Sequence, residues 1–370
     1  MTAELPEGAD VVVVGGGVMG LSAAYQLAAS GVRRVLVLER DELGSGSTSR
    51  AAGGVRANFS DAVNVELGWR SLATFERFEE LFGHEIDLHR VGYLFLLDSA
   101  ADVARFERDV ALQNELGVPS RMIDVAEAQR LSPLVATEGL LAATWSPDAG
   151  HCTPEAVVQG YAAAARRAGA TVLTHTEVLG VEHDAGTVRG VRTSQGTVRT
   201  DTVVCAAGVW SAAVGEMVGV DLPVVAQPRQ VVTTEAIPGL APDTPFTIDF
   251  GTGFYFHNEG PGLLMGTGDA ERWGEVVQRR APRLAEVGLA GGWTGLYEST
   301  PDHNALVGEA EGVSRLLYAT GFSGHGFLMG PAVGEVVRDL YHGHEPVIDV
   351  SGLDVRRFAG PGARPELTIV

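Results

Sequence analysis

The chain contains no lysine: all 27 of its basic residues are arginine, set against 47 acidic ones, for a net charge of −20. That balance excludes nucleic-acid and anionic-membrane binding, both of which need a basic face. It also excludes lysine chemistry, Schiff bases included, at every position at once. Cysteine is nearly absent too. Cys152 and Cys205 alone give neither a disulfide framework nor a metal-ligand cluster, and the histidines add no third ligand. No apolar run reaches membrane-spanning length. The first ten residues, MTAELPEGAD, are acidic and lack the apolar core of a signal peptide, so a cytoplasmic location is expected.

What remains is an ordinary globular composition, 45% hydrophobic and 20% charged, with a high count of 48 glycines. The length suggests two domains. Glycine in that number points to tight turns and close backbone approaches rather than low complexity.

Two glycine-rich strings stand out, VVVVGGGVMG near the start and GFSGHGFLMGP near the end. In the first, DVVVV reads as a buried strand and the residues after the glycines as a helix ending at Gly31. Gly15, Gly17 and Gly20 form G-x-G-x-x-G between them. Gly15 permits the turn, Gly17 admits a pyrophosphate to the backbone, and Gly20 lets helix pack on strand. Val18 and Met19 open the helix whose N-terminus receives the phosphate charge. After the strand RRVLVLER, Glu39 sits about 20 residues further on, where a carboxylate accepts the ribose hydroxyls. Arg40 follows it. This motif alone does not choose between FAD and a nicotinamide. The stretch GSGSTSRAAGGVR does: Ser47, Thr48 and Ser49 offer hydroxyls, and Ala52, Gly53 and Gly54 suit backbone lying along an extended dinucleotide toward a flavin.

Further along, 62–82 predicts a helix, 92–98 a strand and 100–117 a helix. Thr153 and Pro154 start another helix, followed by short strands from TVLTHTEV to TVRTDTVVCAAG. A β-rich region spans about 221–297, with a hairpin at NEGPG. The end returns to a strand, RLLYATG, and a helix over PAVGEVVRDLYHG. The fold class expected is α/β (α+β overall): a Rossmann-type FAD-binding domain with an interleaved β-rich substrate domain of mixed antiparallel sheet. The expected boundaries are 1–82, 150–220 and 298–370 for the first, 83–149 and 221–297 for the second.

Six strings in order, VVVVGGGVMG, VLERD, STSRAAGGVR, VVCAAGVWS, GLYESTPDHNALVG and GFSGHGF, together resemble the FAD-dependent D-amino acid oxidase superfamily, in its sarcosine oxidase, proline dehydrogenase and glycine oxidase branch. The resemblance runs nearly end to end. It implies that Val178 meets the adenine end and that Ala207, Gly208 and Trp210 lie along the FAD. It also implies that Gly324, His325, Gly326, Phe327 and Leu328 meet the flavin. Backbone amides at a helix start suit that place, because negative charge builds there when a flavin is reduced. Where typical sarcosine oxidases carry a substrate-gripping lysine, this chain has Leu328, and the oxygen-activating lysine of those enzymes corresponds to Leu264. Tyr297 stands where D-amino acid and glycine oxidases have a carboxylate-clamping arginine. Gly295 replaces the cysteine that bonds the flavin, so non-covalent FAD is expected.

The activity implied is oxidation of a C–N bond in a secondary amine or amino acid, with O2 or a redox partner as electron acceptor. Arg56 is the first candidate to hold a substrate carboxylate and Arg229 the second. Tyr255 and Tyr297 are candidate pocket walls, and His325 a candidate donor. Two alternatives stay open: a 2-hydroxy-acid dehydrogenase with His257 as base, and the flavin subunit of an electron-transferring complex.

Overall fold

A computed structural model describes residues 4–268, 270–360 and 362–369. Two large sheets organise it. The first has six strands in the order β18 (Leu306–Glu309), β19 (Leu316–Thr320), β12 (Val203–Cys205), β1 (Val11–Val14), β2 (Val35–Leu38) and β8 (Thr171–Leu173). All neighbours are parallel except β18, which runs antiparallel to β19. The central strands are buried along their whole length, which is why they read as unbroken valine and leucine rather than as alternation. Helices α1 (Val18–Ala29), α6 (Pro154–Arg167) and α9 (Gly326–His342) pack with this sheet into one core. Contact between α1 and α9 is close because α9 presents Gly330 and Gly334. A Cβ at either would strike Val18 or Ser22 of α1.

The second sheet has eight strands: β17 (Leu289–Ser299), β13 (Val225–Thr234), β16 (Gly262–Thr267), β15 (Phe254–Glu259), β14 (Phe246–Asp249), β4 (Tyr93–Leu97), β6 (Ala142–Ser146) and β5 (Arg121–Ile123). It is antiparallel except where β14 runs parallel to β4. Period-two alternation sorts its side chains. Tyr93, Phe95, Val231, Phe246, Ile248 and Tyr255 gather on one face. Leu94, Leu96, Phe254 and Phe256 fill the other, under α5 (Val125–Leu131) and α8 (Trp273–Arg280). Two smaller sheets complete the set, β9 (Val178–Asp184), β10 (Thr187–Thr193) and β11 (Gly196–Arg199), and the pair β3 (Gly54–Val55) with β7 (Gly150–His151).

Several element boundaries differ from the sequence reading. The helix expected over 62–82 is two, α2 (Ala62–Glu76) and α3 (Phe78–Phe82), parted at Arg77. TVLTHTEV is not one strand, because the chain leaves the sheet after Leu173 and pairs elsewhere from Val178. The final helix begins at Gly326, five residues before Pro331, where the sequence pattern predicts its start. Pro331 lies inside α9, and Ala332 N donates to Ser71 Oγ of α2 at 3.1 Å. Leu328 is therefore in a first helical turn, not a loop. The chain also forms the helices α4 (Ala100–Glu115) and α7 (Ser211–Glu216).

One buried acid near the sheet face gives a stability test. Asp109 of α4 is pushed up to about 6, first by burial and then by Glu366, with Arg105, a bond from Thr368 and Arg108 opposing. An acid whose folded pKa exceeds its unfolded value of roughly 3.9 loses stability as pH rises through that window. Asp109→Asn is accordingly expected to melt higher than the parent above pH 6, by on the order of 1 kcal/mol after screening. The advantage should vanish below pH 4. Melting curves across pH check it; a variant gain that persists at low pH would refute the titration argument.

Candidate active site

One cavity of about 680 Å³ runs between the two sheets. It falls within the roughly 300–1,000 Å³ usual for ligand sites. At one end lies the turn between β1 and α1. Gly15 has φ +115, and a Cβ on it would run into the carbonyl of Ala206. Gly17 caps α1, close under Thr48 Oγ1, which accepts from Val18 N at 3.2 Å. Glu39 follows β2; its carboxylate accepts from Gly16 N at 2.7 Å and Asp41 N at 2.8 Å. A carboxylate has about four lone-pair sites, so room for ribose hydroxyls remains. Arg40 stacks on Trp210, its guanidinium carbon 3.9 Å from the ring centroid. Val178, Ala207 and Gly208 line the same stretch, as does Met19.

Ala52, Gly53 and Gly54 form the next wall. Gly53 has φ +73, with Cys152 O where a Cβ would stand, and Gly54 leaves space for the Tyr93 hydroxyl. Ser47 lines the cavity, but its hydroxyl donates to Leu296 O at 2.7 Å and so ties this turn to β17. Two of the residues expected along the cofactor lie off the cavity. Gly20 is buried where helix meets strand, with Gly15 O against it, and Ser49 packs toward Gly44.

At the far end the start of α9 faces the cavity. Gly324, with φ +95, His325, Gly326, Phe327 and Leu328 all line it. His325 is the N-cap residue; its ring lies 5.2 Å from that of Phe59, and Nε2 is buried without a partner among the described residues. Burial lowers its pKa to about 3, with Arg56 adding to the effect and Glu366 opposing it, so the imidazole is neutral. Around it stand Arg56, Tyr93, Arg229, Phe246, Ile248, Tyr255 and Tyr297. Burial pushes all three tyrosines up, which keeps them as neutral phenols. Glu298 also lines the cavity; it is half-buried, desolvation raises its pKa, and its carboxylate accepts from Thr320 Oγ1 at 2.9 Å.

Among the described residues, Arg56 carries no bridge to an acid. Its guanidinium donates to Asn58 O and, at 3.0 Å, to Thr368 O, and lies 4.2 Å over the Phe59 ring. His257 stays outside the cavity behind Phe246, with ring centroids 4.7 Å apart, and its Nδ1 donates to Asn258 O at 2.8 Å. Burial lowers it to about 4. Leu264 is buried in β16. Tyr93, Phe246, Ile248 and Arg50 reach the cavity without having been singled out. Only the aromatic run in GYLFLLD could have drawn attention to Tyr93. Among the described residues, no group of three metal-ligating side chains could hold an ion, and no helix is long and apolar enough to cross a membrane.

The residues present fit an extended dinucleotide. A helix N-terminus and tight glycine turn lie at one end, a ribose-ready carboxylate beside them, side-chain-free backbone in the middle, and a second helix N-terminus at the other end. A profile of the family described as FAD dependent oxidoreductase matches residues 10–340. The 4-methylaminobutanoate oxidase (formaldehyde-forming) of Paenarthrobacter nicotinovorans is 30% identical over 96% of this chain and 46% of its own length. Human mitochondrial sarcosine dehydrogenase is 32% identical over 96% of this chain and 42% of its own. The chain thus spans less than half of these curated relatives. The crystal structure of L-proline dehydrogenase from P. horikoshii superimposes with a TM-score of 0.90 at 33% identity, covering 96% of this chain and 99% of that one.

Proposed function

This chain belongs to the FAD-dependent oxidoreductase family, and from that premise we propose that it oxidises a C–N bond in a secondary amine or amino acid whose carboxylate distinguishes it from simple amines. The names of its relatives support the substrate class: sarcosine, 4-methylaminobutanoate and L-proline are all amines bearing a carboxylate. The observation that carries the reading is the continuous cavity joining a phosphate-type turn to a pocket of tyrosines and arginines beside the α9 N-terminus. In this reading residues 1–82, 150–220 and 298–370 carry the cofactor, and 83–149 and 221–297 the substrate.

Bound FAD supplies the acceptor for a hydride leaving the carbon next to nitrogen. The protein's part is placement. Gly324 and Gly326 bring the amides of the α9 terminus to the cavity, where a helix dipole favours developing negative charge. Tyr93, Tyr255, Tyr297, Phe246 and Ile248 wall the substrate and exclude water, which strengthens that field. A neutral amine gives up hydride without a protein base; the iminium product then loses its N–H proton to solvent to leave as the imine, or is hydrolysed. Neutral His325 fits a packing and hydrogen-bonding role beside the substrate. His257, shut away behind Phe246, is badly placed to deprotonate a hydroxy acid, so the C–N reading is preferred to the C–O one. Apolar Leu264 and Leu328 leave the positions of both lysines without a cation, which supports an electron acceptor other than O2. Two free buried cysteines suit a cytoplasmic location.

An anaerobic screen reads the proposal directly. Sarcosine, proline, N-methylated and D-amino acids, uncharged amines and 2-hydroxy acids are mixed with the yellow protein and bleaching of the flavin band is followed. Bleaching by at least one carboxylated amine, with slow recovery in air and fast recovery with an artificial dye, is expected. Bleaching by hydroxy acids alone would reject it.

A further inference from the structure

We infer that Arg229, and not Arg56, is the group that receives the substrate carboxylate; the inference rests on the amine-oxidation reading only for the identity of the substrate. Arginine is the residue suited to this task, because its planar fork matches a carboxylate in a bidentate pair. Two arginines reach the tyrosine pocket, and their surroundings differ.

Arg56 is already engaged through both terminal nitrogens. Its two terminal nitrogens donate to the carbonyls of Asn58 and Thr368, and its plane lies over Phe59, with Phe95 on a further side. Those contacts tie together segments about as far apart as the chain allows, 56–58 and 368. Its chemistry is that of a buried structural clamp.

Arg229 is held open. It lies on β13 opposite Gly295 of β17, so no side chain on the paired strand stands against it. The guanidinium carbon sits 5.1 Å from the centroid of Tyr297, two residues along the same row. Its one hydrogen bond among the described residues goes to the carbonyl of its own neighbour Pro228, at 3.2 Å. The residue as a whole is half-buried, but Nε is shut off from water and has no partner among the described residues. Among the described residues no carboxylate lies within ion-pair distance of it, in a chain where acids outnumber arginines 47 to 27. A buried, unsatisfied charged donor is costly. Here it lines the cavity beside Tyr255 and Tyr297. An arriving carboxylate would satisfy Nε and a terminal nitrogen together, while the ring of Tyr297 fixes the plane of the fork. The amine end of the same molecule is then directed toward the α9 terminus.

The test uses the FAD-loaded protein, Arg229→Gln and Arg229→Lys, with two readouts. One is the Kd of tetrahydrofuran-2-carboxylate, an unreactive proline isostere, from perturbation of the flavin spectrum and from calorimetry. The other is anaerobic bleaching by proline and by pyrrolidine, its uncharged counterpart. We expect Arg229→Gln to weaken carboxylate binding and raise the proline concentration needed for half-maximal bleaching by about 10²-fold. Pyrrolidine should change by less than about threefold, and Arg229→Lys should fall between. An unchanged Kd for the carboxylate overturns the inference. So does an equal loss for proline and pyrrolidine, which would mark a structural role. Should no amine bleach the parent while carboxylate binding still depends on Arg229, the oxidation reading fails and this one stands.

Discussion

Gly15→Ala is expected to purify colourless, with FAD content reduced more than tenfold. At φ +115 the backbone occupies a region that alanine enters only with strain of roughly 1–3 kcal/mol. The larger obstacle is steric. The new Cβ would be driven into Ala206 O, a backbone atom just past β12 that is pinned by the bond from Ala206 N to Val14 O and cannot swing aside as a side chain could. Gly15 N also donates to Leu38 O, and Gly20 packs against Gly15 O, so the turn cannot rotate away without loosening β2 and α1. The α1 terminus would then no longer point at the pyrophosphate, and the electrostatic attraction of that terminus fades within one turn. The ratio of flavin to protein absorbance checks this, with circular dichroism to confirm a folded chain. A folded variant holding FAD as tightly as the parent would show that the turn is not the phosphate site.

The parts of this architecture that were legible in the sequence are those whose chemistry is local. Gly15, Gly17, Gly20 and Glu39 declare themselves because a turn, a helix start and a strand end must follow each other within about 30 residues. The pocket is different. Tyr93, Phe246, Ile248 and Arg229 meet only because β4, β14 and β13 belong to one sheet, and pairing register between distant strands leaves no mark in a single sequence. The order of preference between Arg56 and Arg229 was equally hidden. It depends on the carbonyl of Thr368, more than 300 residues from Arg56, and on which residue happens to face Arg229 across β17. The start of α9 was misplaced for a local reason. Glycines at 324 and 326 and proline at 331 are all poor helix formers, and the helix survives them by packing against α1 and by the bond from Ala332 N to Ser71.

The second glycine loop makes a different demand from the first, and Gly324→Ala separates them. Gly324 has φ +95, and a Cβ there would enter the ring of Tyr297. Either Tyr297 moves out of the pocket or the loop rebuilds and turns the α9 amides away from the cavity. Both changes are remote from the β1–α1 turn, so FAD should still bind through its pyrophosphate and the protein should stay yellow. What should fall is the rate of anaerobic flavin reduction by substrate, by about 10²-fold, the usual cost of losing one preorganised donor at a site of developing charge. Preorganisation is the issue, because a donor aimed in advance pays no reorganisation when charge appears. The reduction potential of the bound flavin should drop as well, since the reduced form carries the charge that the amides favour. Rapid-mixing reduction and a potentiometric titration read the two effects separately. A slowed rate at unchanged potential would assign the loss to displaced Tyr297 and substrate misplacement. An unchanged rate and potential would remove the α9 terminus from the chemistry.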